Sequence, residues 1–372
     1  MVPFVLVLIV AGAVAYAATP GVLALSKKIG AVDIPDDRKV HAVPTPTLGG
    51  AAILAGVLAA LAAAAGMKQF RTLFGSFFAW PLSEAAGIVA GAIIIFTLGV
   101  IDDLKGMRAP VKLSGQLLAA GVVFLSGVRL QYFRFPVGGV GALSMGTDLS
   151  AIATILWIVV VVNAVNLMDG LDGLAAGITA IAAGAFFVYS YQLSLQGLAA
   201  PEPTAQLISI ILVGACIGFL RYNFNPARIF MGDSGAMTIG FLLATATVAG
   251  VGRTAVSGDD QAASVLFYLP LVIPLIVLAI PILDTVLAIV RRARRGQHVF
   301  HADRQHLHHR LLEIGHGHRQ AVLIMYAWAS VTAGVTLSLS FDVGRTYTFL
   351  FIAAAVGILL YTVLPRWASQ QD

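Results

Sequence analysis

The chain has 372 residues, 59% of them hydrophobic and only 11% charged, with a mean hydropathy of +0.90. That balance excludes an ordinary soluble domain and matches a series of apolar helices of roughly 20 residues joined by short loops. The net charge of +5 does not imply nucleic acid, because the basic residues sit in short loops between apolar runs. Orientation signals and anionic headgroups or phosphates explain them better. Cys216, the single cysteine, lies inside an apolar run and reads as a buried structural thiol.

The first run, Val2 to Leu25, carries no charge before Lys27. It lacks the positive n-region of a signal peptide, so it reads as an uncleaved helix with its N-terminus outside the cytoplasm. Further spans are expected near 48–66, 85–101, 111–128, 151–166, 174–193, 205–221, 235–252, 264–290, 321–340 and 347–364. The expectation is therefore one all-α, polytopic membrane domain over 1–372, with about eleven transmembrane helices. Placing alternate loops on opposite sides puts 17 of the 23 Lys and Arg on one side, which the positive-inside rule makes cytoplasmic. All eight histidines, Asp102, Asp103, Asp169, Asp172 and Asp233 fall on that side too. The outer segment 129–148, with Gly138, Gly139, Gly141 and Gly146 among alternating apolar residues, reads as a short hairpin.

Five cytoplasmic loops then carry the chemistry. The first contains Asp33, Asp36, Asp37, Arg38, Lys39 and His41, then Pro44-Thr45-Pro46-Thr47-Leu48-Gly49-Gly50. Its proline-rich end predicts a loop held in one shape at a helix start. In the second, Asp102-Asp103-Leu104-Lys105-Gly106, adjacent carboxylates repel unless a cation lies between them or one is protonated. Two aspartates near a lysine suit Mg²⁺-assisted phosphoryl chemistry, while a solvated helix end is the plain alternative.

The third loop, Asn163-Ala164-Val165-Asn166-Leu167-Met168-Asp169-Gly170-Leu171-Asp172-Gly173, puts two carboxylates at a helix mouth. Such groups persist near membrane depth where they line a polar site. Three residues apart, they would share a face of any helical turn. The fourth, Asn223 to Gly235, brings Asp233 and Ser234 to the expected start of a helix, where N-capping is the structural alternative. Phe230 is either a lipid-facing anchor or a stacking surface for a base. The fifth, 291–320, holds Arg304, His306, His308, His309 and Arg310. Arginines among imidazoles suit a diphosphate better than zinc.

Together these motifs resemble the polyprenyl-phosphate N-acetylhexosamine-1-phosphate transferases, polytopic bacterial membrane enzymes, over nearly the whole chain from Pro35 to His309. In place of three consecutive histidines the last loop reads His306-Leu307-His308-His309, similar to the branch that uses UDP-GlcNAc. The resemblance implies transfer of GlcNAc-1-phosphate from UDP-GlcNAc to undecaprenyl or decaprenyl phosphate, with Mg²⁺ or Mn²⁺ and release of UMP. It implies a cytoplasmic-facing site in the bacterial inner membrane, and a homodimer.

By the same resemblance Asp233 ligates the metal, Asp102 or Asp103 handles the lipid phosphate, and Lys105 holds phosphate. Phe230 stacks on uracil near Asn223, Asp169 and Asp172. Lys39, Asn166, Arg304, His306, His308 and His309 complete the substrate side. Two rivals stand beside this: the same chemistry with UDP-MurNAc-pentapeptide or another UDP-HexNAc, and an ion-coupled transporter. A transporter wants charge deep within spans, where Asp284 is the one clear case.

Overall fold

The computed structural model describes residues 1–35, 43–74, 83–130, 132–133, 143–197, 203–251, 275–279, 316–341 and 345–363. Its helices are α1 (Val2–Ile29), α2 (Gly50–Ala65), α3 (Arg71–Phe74), α4 (Glu84–Lys105), α5 (Ala109–Leu125), α6 (Thr147–Met168), α7 (Leu174–Leu195), α8 (Thr204–Asn223), α9 (Gly232–Val251), α10 (His318–Phe341) and α11 (Arg345–Val363). All the helices except the one-turn α3 fall on ten of the eleven expected spans. The eleventh, 264–290, lies almost wholly outside the described residues. Among those residues, six helices are long and apolar enough to cross a membrane, or seven if the bent pair Gly50–Ala65 and Lys68–Phe74 counts as one. An all-α membrane protein is established; a count of eleven crossings is not.

Two small ribbons join the helices. β1 (Val32–Asp33) pairs antiparallel with β2 (Thr45–Pro46), placing Val32 opposite Pro46. β3 (Tyr132–Phe133) pairs antiparallel with β4 (Leu143–Ser144), the hairpin expected within 129–148.

Helix ends follow the sequence closely. Ser83 caps α4 by accepting the Ala86 N–H at 3.2 Å, with Glu84 in the first turn and Lys105 in the last, each suited to the helix dipole. α9 is the central helix and packs against α2, α4, α6, α7 and α8. Most of its side chains are fully buried, including Thr238, Thr245 and Thr247. Each of these hydroxyls donates to a carbonyl three or four residues back, so burial leaves none of them without a partner. By contrast α5 and α6 expose Leu117, Leu118, Leu125, Leu149, Ile152 and Leu156. In an apolar bundle such faces belong against lipid tails.

Gly50 on α2 and Gly99 on α4 let those helices reach α9 by backbone contact. A Cβ at Gly50 would collide with the backbone of Gly235, and one at Gly99 with that of Ser234. Backbone atoms of a central helix cannot swing aside, so both positions bring the site-bearing ends together. Gly99→Ala or Gly50→Ala should cost about 1–3 kcal/mol through overpacking, read as a lowered melting temperature in detergent. Gly121→Ala, whose Cβ would meet nothing within 4 Å, should leave that temperature unchanged or slightly raised.

Candidate active site

The chain turns back after α4 at Gly106 (φ 67°), so the last turn of α4 faces the first turn of α5. Asp102 accepts the Met107 N–H at 2.6 Å, which fixes that reversal. Lys112, one turn into α5, forms ion pairs with both Asp102 and Asp233. The expected phosphate-side cation was Lys105, but Lys105 ends α4 exposed to solvent. Lys112 is the lysine among the carboxylates. Its signal in the sequence is Lys112 and Gln116, two long polar residues at helical spacing in a mostly apolar run.

Asp103 turns toward α9. Its two oxygens accept the backbone N–H groups of Asp233 at 2.7 Å and Ser234 at 3.1 Å. These are donors that a helix start leaves without intrahelical partners, and a carboxylate there also meets the positive end of the helix dipole. The capping expected around Asp233 is thus supplied by a different helix.

The first-loop segment comes in from the other side and is held as rigidly as its prolines suggested. Phe230 N–H donates to Pro46 O at 2.8 Å, Gly49 N–H to Phe230 O at 2.9 Å, and Gly50 N–H to Met231 O at 3.0 Å. Ser26 Oγ donates to Thr47 O at 2.6 Å. The Thr47 hydroxyl and the Asp103 carboxylate both press on Gly232, whose φ of 72° and lack of Cβ admit them.

Asp169 and Asp172 do not share a helical face, because α6 ends at Met168 and Gly173 opens α7 in a left-handed conformation. They divide the work instead. Asp172 accepts Asn225 Nδ2 at 2.9 Å and the Ala227 N–H at 3.0 Å, tying down the loop before α9. Asp169 lies toward Asp233 and Asp103. Burial of its carboxyl, then the charges of Asp233, Asp103 and Asp172, push its pKa up to about 8.

Asn223 is buried, with both ends of its carboxamide engaged: Oδ1 accepts the Gly173 N–H at 3.1 Å and Nδ2 donates to Ile229 O at 3.0 Å. It holds the turn to the loop rather than presenting a free group to a ligand. Asn166, in the last turn of α6, has its Oδ1 buried with no partner. Phe230 is half-buried at the junction with the first loop. Lys39, Arg304, His306, His308 and His309 lie outside the described residues. Asn163, the first residue of the third-loop motif, bonds reciprocally below Lys112 with Gln116, which the sequence did not single out; Asn163 Nδ2 donates to Gln116 Oε1 at 2.7 Å.

Most of the carboxylates at the site already have a partner. Asp103 is offset by the α9 terminus, Asp172 by Asn225 and Ala227, and Asp102 and Asp233 share Lys112. The charges acting on Asp169 are all negative. Among the described residues no three carboxylates or imidazoles form a ready cage for an ion. The carboxyl groups of Asp169 and Asp233 are still donors of the kind a hard cation such as Mg²⁺ takes, since it needs only one or two carboxylates and completes its shell with water and substrate phosphate oxygens.

A phosphate-handling transferase at a helix-bundle mouth is the class these features define, and comparison with known proteins agrees. Residues 85–251 match the family described as Glycosyl transferase family 4. The decaprenyl-phosphate N-acetylglucosaminephosphotransferase of Mycolicibacterium smegmatis is 40% identical over 97% of this chain and 88% of its own. The probable undecaprenyl-phosphate N-acetylglucosaminyl 1-phosphate transferase of Bacillus subtilis is 35% identical over 83% and 77%. A phospho-N-acetylmuramoyl-pentapeptide-transferase of Desulforudis audaxviator is 31% identical over 57% and 64%. The chain belongs to the polyprenyl-phosphate N-acetylglucosamine-1-phosphate transferases, membrane enzymes of that glycosyl transferase family.

Two outcomes follow from the electrostatics. Lys112→Met strips Asp102 and Asp233 of their shared cation and should lower the melting temperature; adding Asp102→Asn should recover part of that loss. For Asp169, the folded pKa of about 8 lies above the ordinary 3.8, so the native state holds this proton more tightly than the unfolded chain. Its stabilising contribution is complete below 3.8 and is lost as pH rises to about 8. Metal-free protein should lose up to about 1.4 kcal/mol per pH unit across that window. In Asp169→Asn, melting curves between pH 5 and 8.5 in chelator should show a flatter slope.

Proposed function

We propose that this enzyme transfers GlcNAc-1-phosphate from UDP-GlcNAc to decaprenyl or undecaprenyl phosphate, with Mg²⁺, releasing UMP at the cytoplasmic face of the bacterial inner membrane. The observation that carries it is the meeting of Asp102, Asp169, Asp233 and Lys112 at the mouth of an apolar bundle. Both reactants are anionic, and one is a lipid whose phosphate sits at the membrane surface. A site there needs fixed positive charge and a cation, and it needs an apolar flank.

Asp233 and Asp169 would hold Mg²⁺, which supplies charge neutralisation and orientation of the diphosphate oxygens. Lys112 is placed to take a phosphate oxygen in exchange for one of its carboxylates. Of the two adjacent aspartates, Asp102 is the one to handle the lipid phosphate, because both oxygens of Asp103 already accept backbone N–H groups. Asn166 Oδ1, buried and without a partner, is ready to accept a hydrogen bond from the donor substrate. Phe230, Lys39, Arg304, His306, His308 and His309 take the uracil, sugar and diphosphate roles on the strength of the resemblance. The excess of Lys and Arg in the loops on the site side supports the cytoplasmic orientation.

The test is purified protein in detergent with decaprenyl phosphate, Mg²⁺ and either radiolabelled UDP-GlcNAc or UDP-MurNAc-pentapeptide. Lipid-linked label from UDP-GlcNAc alone is expected; product only from the muramyl donor would overturn the donor assignment. Asp233→Asn should reduce turnover at least about 100-fold, in line with loss of one electrostatic anchor of a phosphoryl site.

A further inference from the structure

α10 carries residues that none of the site motifs includes, yet it grips two of the loops that build the site. Tyr326 donates its hydroxyl to Gly173 O, the carbonyl that closes the Asp169–Gly173 turn. The Gly173 N–H is held from the opposite side by Asn223. Gly173 therefore has its nitrogen fixed by α8 and its oxygen by α10. Its φ of 80° is open to glycine, and a Cβ there would lie 3.3 Å from the Tyr326 hydroxyl.

The Tyr326 ring lies against α7 at Gly177, where a Cβ would overlap the ring carbons. Gly173 and Gly177, four residues apart, thus cut a slot on one face of α7 that this side chain fills. Two turns back on the same face of α10, Arg319 Nε donates to Asn225 O at 2.7 Å. Asn225 in turn donates to Asp172. One helix face thus spans the Asp169–Gly173 turn and the 223–229 loop, the two segments that lead into Asp169 and Asp233.

We infer that Tyr326 and Arg319 are positioning residues that set the register of the Asp169–Gly173 turn against the loop leading into Asp233, and so tune binding of the nucleotide-sugar donor. This rests on the transferase reading above. Neither residue touches the Asp102–Lys112 side, so the lipid acceptor should not feel the change. Tyr326 supplies the stronger constraint, because its hydroxyl is shielded between helices while the Arg319 bond is exposed.

Steady-state kinetics of Tyr326→Phe, Arg319→Gln and Arg319→Lys, with melting temperatures, test this. Tyr326→Phe keeps the ring in its slot and removes only the hydroxyl. It should raise the KM for UDP-GlcNAc about 3- to 10-fold, the effect of about one lost hydrogen bond. The acceptor KM should stay within twofold, and the melting temperature within about 2 °C. Arg319→Gln should shift the donor KM in the same direction by a smaller factor, and Arg319→Lys, which can still donate to Asn225 O, should restore it. Unchanged donor KM in Tyr326→Phe, or equal changes for both substrates, would overturn the inference. So would a fall in turnover that simply tracks a lost melting temperature. Wild-type protein inactive with UDP-GlcNAc would instead strike at the transferase reading, which separates the two failures.

Discussion

The carboxylate of Asp103 accepts the first N–H groups of α9, and the arrangement of the whole site depends on that contact. A central helix whose N-terminus opens among carboxylates must have its orphan donors satisfied. Meeting them with the end of α4 fixes where Asp102 lies and where the chain reverses into α5. It also fixes which way Asp233 faces. Gly99 and Gly50 make the approach sterically possible, and Gly232 leaves room for Asp103 and Thr47 together. Removing the cap would expose a positive helix end and release Asp103 into a cluster already rich in negative charge.

That cap also explains how the two adjacent aspartates escape mutual repulsion. Asp103 is spent on the helix, whereas Asp102 is spent on the Gly106 reversal and Lys112. The apparent redundancy of the Asp-Asp pair resolves into one structural and one chemical member. Asp169 and Asp172 divide in the same way: Asp172 ties the 225–227 loop, and Asp169 brings a carboxyl with raised pKa beside Asp233. Each pair anchors the backbone with one carboxyl group and leaves the other facing the site.

Much of this was legible in the sequence. The helices arise from apolar runs bounded by Ser83, Gly106 and Gly173, and the loop at 44–50 was recognisable from its prolines and paired glycines. The hairpin within 129–148 showed in its glycines and alternating pattern. Helical spacing failed for Asp169 and Asp172 because it presumes that the helix continues, and α6 stops one residue before them. Lys105 drew attention by its nearness to Asp103 in the chain. Chain reversal at Gly106 makes a residue seven positions further on the nearer cation. Tyr326 left no local trace, since its partner lies 153 positions away and its slot is two glycines on another helix.

The distribution of polarity with depth also bears on what the bundle can do. Charge is concentrated at the mouth, in Lys112 and the aspartates. One turn deeper along α5 and α6, Gln116 and Asn163 close on each other, neutral and reciprocal. Farther along α6, the Trp157 indole N–H donates to the Thr247 hydroxyl at 2.9 Å. Ion conduction along this seam would need donors and acceptors left open to a passing solute. Here Gln116 with Asn163, and Trp157 with Thr247, are spent on each other, and they stitch α5, α6 and α9 together beneath the charges. Such a seam holds a surface site rigid against the membrane, as transfer to a lipid phosphate requires; Asp284, the one charge that favoured a transporter, lies outside the described residues.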